Sequence, residues 1–252
     1  MSIAIFGGTA AYHLNPSDFA VVAGVLETQT EFGPVSFTRL VAGRGVEVMF
    51  LSRHGSGNLA RSAAFINHRA HVVGASRLGA QAILSWNGVG AINPALAVGD
   101  LVVPDDLIDE TRARISPSYP PLVKWNDSFR ASGELVQAPF SEILRRALLE
   151  AAAANHQSIN ANHATFVCTE GPRLETPAEI AAYAQLGADV VGMTLCPEIW
   201  LAGEIGLPYA SLCAVTNMAA GLSHVSPVRD FGPVVGAKCL RVCIRAAEIL
   251  SQ

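Results

Sequence analysis

Several polar residues in this sequence stand where an apolar run ends, the place where a chain can display side chains to a ligand. Gly7-Gly8-Thr9 follows "SIAIF". Paired glycines let backbone N–H groups approach an anion, and Thr9 adds a hydroxyl, although the pattern is neither GxGxxG nor GxxxxGKS. Arg53-His54 follows "VEVMFLS", and a guanidinium suits two-pronged phosphate recognition. In "TEGPRLETPAEI", Glu175 precedes the helix opening Thr176-Pro177, where a carboxylate serves either a ligand or the helix dipole. Asn87 and Met193-Thr194 lie at other strand ends, and "LCAVTNMAAGL" delivers one amide, Asn217.

Other chemistries find less support. His68 and His71 are spaced three apart, as metal ligands on a helix can be, but no third ligand is close in sequence. A helix-surface or interface role is expected instead. Ser56 in "HGSGN" lacks the GxSxG elbow of a hydrolase triad. The five cysteines sit in apolar segments without a CxxC and are expected to be buried, reduced thiols.

The balance of residue types narrows the classes further. Only 15% of the 252 residues are charged against 50% hydrophobic, so disorder is not expected and some surface could be buried between subunits. A net charge of −4 with scattered Lys and Arg gives no footprint for nucleic acid or an anionic membrane. No apolar run is long enough to span a bilayer, and "MSIAIFGG" lacks the basic start of a signal peptide. A cytoplasmic location is the expectation.

The elements that must position these residues alternate along the chain. "SIAIF", "VEVMFLS", "AILSWN", "DLVVPDDLID", "ATFVCTEG", "ADVVGM" and "YASLCAVTN" read as strands. "AFINHRAHVVGASRLGA", "EILRRALLEAAAAN", "PAEIAAYAQLG", "CPEIWLAGEIG" and "GPVVGAKCLRVCIRAAEIL" read as helices. This alternation predicts one α/β domain over 1–252, three-layer α/β/α around a central mixed, mostly parallel sheet. Ligands in such folds gather at the carboxyl ends of strands.

Taken together, "GGT", "LSRHG" with "INHRA", "NGVGAINPALAVGDLVVPDDLID", "CTEGPRLETPAEI", "LGADVVGMTLCPE" and "VTNMAAG" occur in an order and spacing that resemble the trimeric purine nucleoside phosphorylases. Within them the nearest resemblance is to the methylthioadenosine/methylthioinosine phosphorylase branch. It implies a homotrimer that cleaves a purine–ribose bond with inorganic phosphate as co-substrate and needs no metal or organic cofactor. By motif matching, Thr9, Arg53, His54, Asn87 and Thr194 would hold phosphate, Asn87 standing where the family has Thr. Met193 would face the ribose, Leu174 the base, and Glu175 and Asn217 the polar edge of the base as the catalytic pair.

An ionised Glu175 only accepts hydrogen bonds, so it suits the N1–H of a 6-oxopurine and not the N1 lone pair of adenine. Adenine-specific relatives carry Asp at the 217 and 219 positions, where this chain has Asn217 and Ala219. The expected substrate is therefore S-methyl-5′-thioinosine, or inosine or guanosine. The alternatives are an adenine-preferring methylthioadenosine phosphorylase, a weakly active nucleoside-binding paralogue and, more weakly, a nucleoside hydrolase. Phe231, Val234 or Val235 could line the 5′ pocket. The chain departs from the family at Ala10, Ala11 and Asn58, near the expected phosphate and ribose sites.

Overall fold

A computed structural model of the chain describes residues 1–8, 10–55, 62–112, 139–222 and 232–252. The apolar runs form strands β1 Ile3–Gly7, β4 Glu47–Ser52, β5 Ala82–Ala91, β9 Thr165–Cys168, β10 Val190–Gly192 and β11 Tyr209–Met218. "DLVVPDDLID" divides at Pro104 into β6 Leu101–Val102 and β7 Asp106–Asp109, since proline cannot donate to a ladder. A short β8 spans Ile159–Ala161. An antiparallel pair, β2 Val21–Thr30 and β3 Gly33–Val41, precedes β4 at the sheet's edge and was not expected from the β/α alternation.

The helices are α1 His68–Arg77, α2 Glu142–Ala154, α3 Pro177–Gln185, α4 Glu198–Glu204 and α5 Gly232–Leu250. Thr176 opens α3 with a capping box: its hydroxyl accepts from the Glu179 N–H at 3.2 Å, while the Glu179 carboxylate accepts from the Thr176 N–H at 2.7 Å. Alternation along the strands separates two faces. Ile3 and Ile5 of β1 pack with Leu148 and Ala151 of α2 and Cys239 and Leu240 of α5. Ala4 and Phe6 join a cluster with Val72 of α1 and Ile199 and Leu201 of α4 on the other face. The architecture is the three-layer α/β/α fold with a mixed, mostly parallel sheet.

The sheet contains eleven strands, and the path β2-β3-β4-β1-β5-β10-β9-β7 is completed by β11, β6 and β8 in turn beyond β5. One discontinuity positions the site. On one side of β5, β1 runs parallel as far as the Phe6–Ser85 pair, and β10 joins antiparallel only at Val191–Gly90. Among the described residues no strand lies beside that edge of β5 between Trp86 and Val89, although β11 follows the opposite edge throughout.

All five cysteines are buried and unbridged, and burial pushes the Cys213 and Cys243 thiols up to about 12. No helix among the described residues is long and apolar enough to cross a membrane.

Candidate active site

Arg53 leaves the end of β4 and enters the gap beside β5. Its backbone N–H is anchored on the Gly7 carbonyl at 2.8 Å, and its side chain is closed off from solvent. Nε and Nη2 donate to the two carboxylate oxygens of Glu198, each at 2.7 Å. Nη1 donates to the Trp86 carbonyl at 3.1 Å and lies 3.3 Å from Asn87 Oδ1 and 3.5 Å from Thr194 Oγ1. The guanidinium is thus held on one side by a carboxylate and on the other by the open edge of β5.

Asn87 and Thr194 complete this corner. Thr194 Oγ1 donates to Asn87 Oδ1, and Asn87 Nδ2 donates to Ser211 Oγ at 2.6 Å. The amide orientation follows from its partners, because an NH2 turned toward Arg53 would face the guanidinium, which only donates. Gly8 reaches the same corner: a Cβ there would fall 2.1 Å from the Trp86 carbonyl and 3.0 Å from Arg53 Nη1. Thr9 lies outside the described residues. His54 is half-buried, with its ring edge-on to Tyr12 at 6.4 Å.

Glu198 was not foreseen as part of the site. It accepts the two Arg53 bonds, one from Tyr209 Oη at 2.6 Å and one from His68 Nδ1 at 3.2 Å. Burial alone would push this carboxyl up, but the Arg53 charge and the His68 bond hold it below the usual carboxylate range. Tyr209 is driven well above its ordinary value by burial and by Glu198, so it remains a donor. Ser85 Oγ lies 2.7 Å from Tyr209 Oη and 2.9 Å from Ser211 Oγ, which links the carboxylate back to Asn87. The expectation for His68 is corrected here: it is buried against Glu198, not set on a helix surface.

A second group of residues sits at the ends of β9, β10 and β11. Glu175 accepts a 2.6 Å bond from Thr169 Oγ1, and Thr169 N–H bonds to the Gly192 carbonyl at 2.9 Å. Met193 follows Gly192 and lies against Gly171, whose positive φ of 63° favours glycine and where a Cβ would fall 2.7 Å from the Met193 sulfur. Asn217 stands past a β-bulge in β11. Its Oδ1 accepts from Thr216 Oγ1 and its Nδ2 donates to the Met218 carbonyl, both at 2.9 Å. Gly221 abuts Pro177, and Ala219 packs with Val191 and Ile180, so the 217–222 turn and the 175–177 turn share one apolar floor. Glu175 and Asn217 face different hydrogen-bond partners, and Leu174 is exposed.

The arrangement is a buried polar corner of Arg53, Asn87 and Thr194, with a carboxylate past the end of β9 and an amide at the end of β11. A family model described as the phosphorylase superfamily matches residues 2–248. The chain belongs to the phosphorylase superfamily. It is 41% identical over 223 residues to a 6-oxopurine nucleoside phosphorylase of Pyrococcus furiosus, covering 88% of this chain and 81% of that protein. It is 38% identical to a probable S-methyl-5′-thioinosine phosphorylase of Pseudomonas syringae pv. tomato, covering 87% and 86%. Among solved structures, a double-mutant adenosine/methylthioadenosine phosphorylase of Schistosoma mansoni in complex with adenine superposes with a TM-score of 0.85 at 26% identity, covering 100% of this chain and 92% of that one.

Within this phosphorylase, two of the departures acquire a geometry. Ala10 has φ 67° and ψ 0°, a left-handed conformation that favours glycine, and it touches the start of α5 near Gly236. Ala11 is buried in the cluster that holds Trp86. Asn58 and Phe231 lie outside the described residues. Val235 does not line an open pocket but packs in the core with Trp86 and Cys239, whereas Val234 is exposed.

Proposed function

We propose that this phosphorylase cleaves the N-glycosidic bond of a 6-oxopurine nucleoside with inorganic phosphate, releasing the free base and a ribose 1-phosphate or its 5-methylthio analogue. One observation supports the reading: Arg53, Asn87 and Thr194 meet in a polar corner at the open edge of β5, while Glu175, an acceptor bonded to Thr169, and Asn217, an amide, stand past the end of β9 and at the end of β11. Phosphate enters at the unpaired edge of β5, held by Arg53, Thr194 and Asn87 with Thr9 and His54. Thr194 then turns its hydroxyl from Asn87 to a phosphate oxygen, and Asn87 Oδ1 keeps its bond from Arg53.

Glycosidic cleavage places positive charge on the sugar and negative charge on the departing purine. The bound phosphate stabilises the first and attacks C1′ as the C–N bond breaks. Asn217 bonds the base near N7 as that nitrogen gains electron density, and Glu175 accepts from N1–H. Met193 borders the ribose, and the exposed Leu174 folds over the base. Positioning and electrostatics supply the rate, with no metal or organic cofactor assigned a part. A single domain, a homotrimeric assembly and a cytoplasmic location complete the reading.

Adenine preference has the Schistosoma fold neighbour on its side, but Ala219 is buried against Val191 and offers no carboxylate to a 6-amino group. The deciding experiment follows base release from inosine, guanosine, adenosine, methylthioinosine and methylthioadenosine, each with and without phosphate. Phosphate-dependent release from the 6-oxopurines is expected. Equal turnover of methylthioadenosine and methylthioinosine overturns the base assignment, release without phosphate indicates a hydrolase, and saturable binding without release indicates a paralogue.

A further inference from the structure

A full negative charge beside an anion site works against the anion unless it performs a task there. Glu198 is such a charge. Its carboxylate has no solvent exposure and lies directly behind the arginine that faces the phosphate corner. Stability alone does not explain it, because a buried ion pair gains little over a well-packed apolar pair of the same volume. The pair also differs from a simple buried bridge in how it is built. The carboxylate takes the Nε and Nη2 side of the guanidinium, which leaves Nη1 to point at Trp86 O, Asn87 and Thr194.

We propose that Glu198 is a positioning residue for phosphate: it fixes the plane and reach of Arg53 at the gap in β5, and is itself clamped by Tyr209 and His68. The proposal rests on the phosphorolysis reading above. A two-pronged bond to a carboxylate fixes a guanidinium in plane and in rotation, which a single contact does not. The carboxylate can do this only if it cannot turn. Tyr209 Oη on one oxygen and His68 Nδ1 on the other, at 2.6 and 3.2 Å, prevent that rotation. His68 belongs to α1 and Tyr209 to β11, so the clamp ties Arg53 both to the sheet and to a helix packed on it. Misplacement of a substrate-orienting group by about 1 Å is enough to lower turnover about a hundredfold.

The test compares Glu198→Asp, Glu198→Gln and Tyr209→Phe with the unaltered protein, measuring KM for phosphate and for methylthioinosine separately. Circular dichroism and thermal melting establish that each variant is folded. Glu198→Asp keeps the charge but draws the guanidinium back, and its phosphate KM is expected to rise by about tenfold or more, a loss of ~1.4 kcal/mol, while the nucleoside KM stays within about twofold. Tyr209→Phe leaves the ion pair intact and is expected to raise the phosphate KM by about threefold, with the same split. Folded variants that lose both KM values equally, or neither, overturn the proposal. If Glu198→Gln does not fold, Glu198→Asp and Tyr209→Phe decide alone. An unaltered protein whose base release ignores phosphate overturns the phosphorolysis reading itself, a result distinct from phosphate-dependent turnover that is indifferent to these substitutions.

Discussion

Arg53 and Glu198, 145 positions apart in the chain, meet through two parallel 2.7 Å hydrogen bonds with neither side chain exposed. Removing one partner leaves the other charge buried and unpaired. Arg53→Ala is expected to destabilise the fold by about 3–5 kcal/mol in urea unfolding. The double replacement Arg53→Met with Glu198→Leu should recover most of that loss while abolishing phosphate saturation. Additive losses in the double variant would show that the two residues are not coupled.

Ala10 occupies a left-handed conformation that disfavours any Cβ. Ala10→Gly removes a strain of about 1–2 kcal/mol and adds an entropic cost of about 0.5–1 kcal/mol in the unfolded chain. A net gain near 1 kcal/mol is expected, read as a shift of the denaturation midpoint at constant slope. A lower midpoint would contradict the strain.

His71 predicts an acid-sensitive fold. Its Nδ1 is sealed from solvent and has no hydrogen-bond partner among the described residues, and its ring stands edge-on to Phe6. Burial first, then the charges of His68 and Arg53, lower its pKa to about 3. The unfolded chain takes up this proton near pH 6.5 and the folded chain does not. The stability from a neutral His71 is therefore present above about pH 6.5 and falls by up to ~1.4 kcal/mol per unit as the pH drops toward 3. In urea titrations between pH 7 and 4.5, His71→Phe should flatten that slope; an unchanged slope would assign the acid sensitivity to other groups.

Asn217→Asp tests base recognition. Asn217 Nδ2 now donates to the Met218 carbonyl at 2.9 Å, and a carboxylate oxygen there would face another acceptor. Turnover of 6-oxopurine nucleosides is expected to fall about a hundredfold in kcat/KM, because a buried polar edge is left mispaired. An undiminished rate would remove Asn217 from the site.

The strand ends were readable because apolar runs stop abruptly, and Arg53, Met193, Thr194 and Asn217 stand at or near such stops; Asn87, expected at one, lies within β5, which runs on to Ala91. Glu198 was not readable in that way. It is an acid in the first turn of a helix, which resembles a solvated cap until Arg53, His68 and Tyr209 converge on it from distant segments. The only local hint was an unpaired acid set in the apolar "TLCPEIWLAG". The edge hairpin from Val21 to Val41 was missed because an antiparallel pair interrupts the β/α rhythm instead of continuing it. Val235 was misplaced because helical phase near a helix start depends on where the helix begins, and the core claimed that side chain.

The separate bonding of the two polar groups also divides the protein's capacity for change. Arg53 and Asn87 are joined to each other, and Arg53 to the carboxylate that steadies it, whereas Glu175 and Asn217 bond to Thr169, Thr216 and Met218. Substitutions at the proposed base edge therefore need not disturb the proposed anion corner. A lineage can exchange one purine for another on this scaffold while its phosphate chemistry is inherited intact.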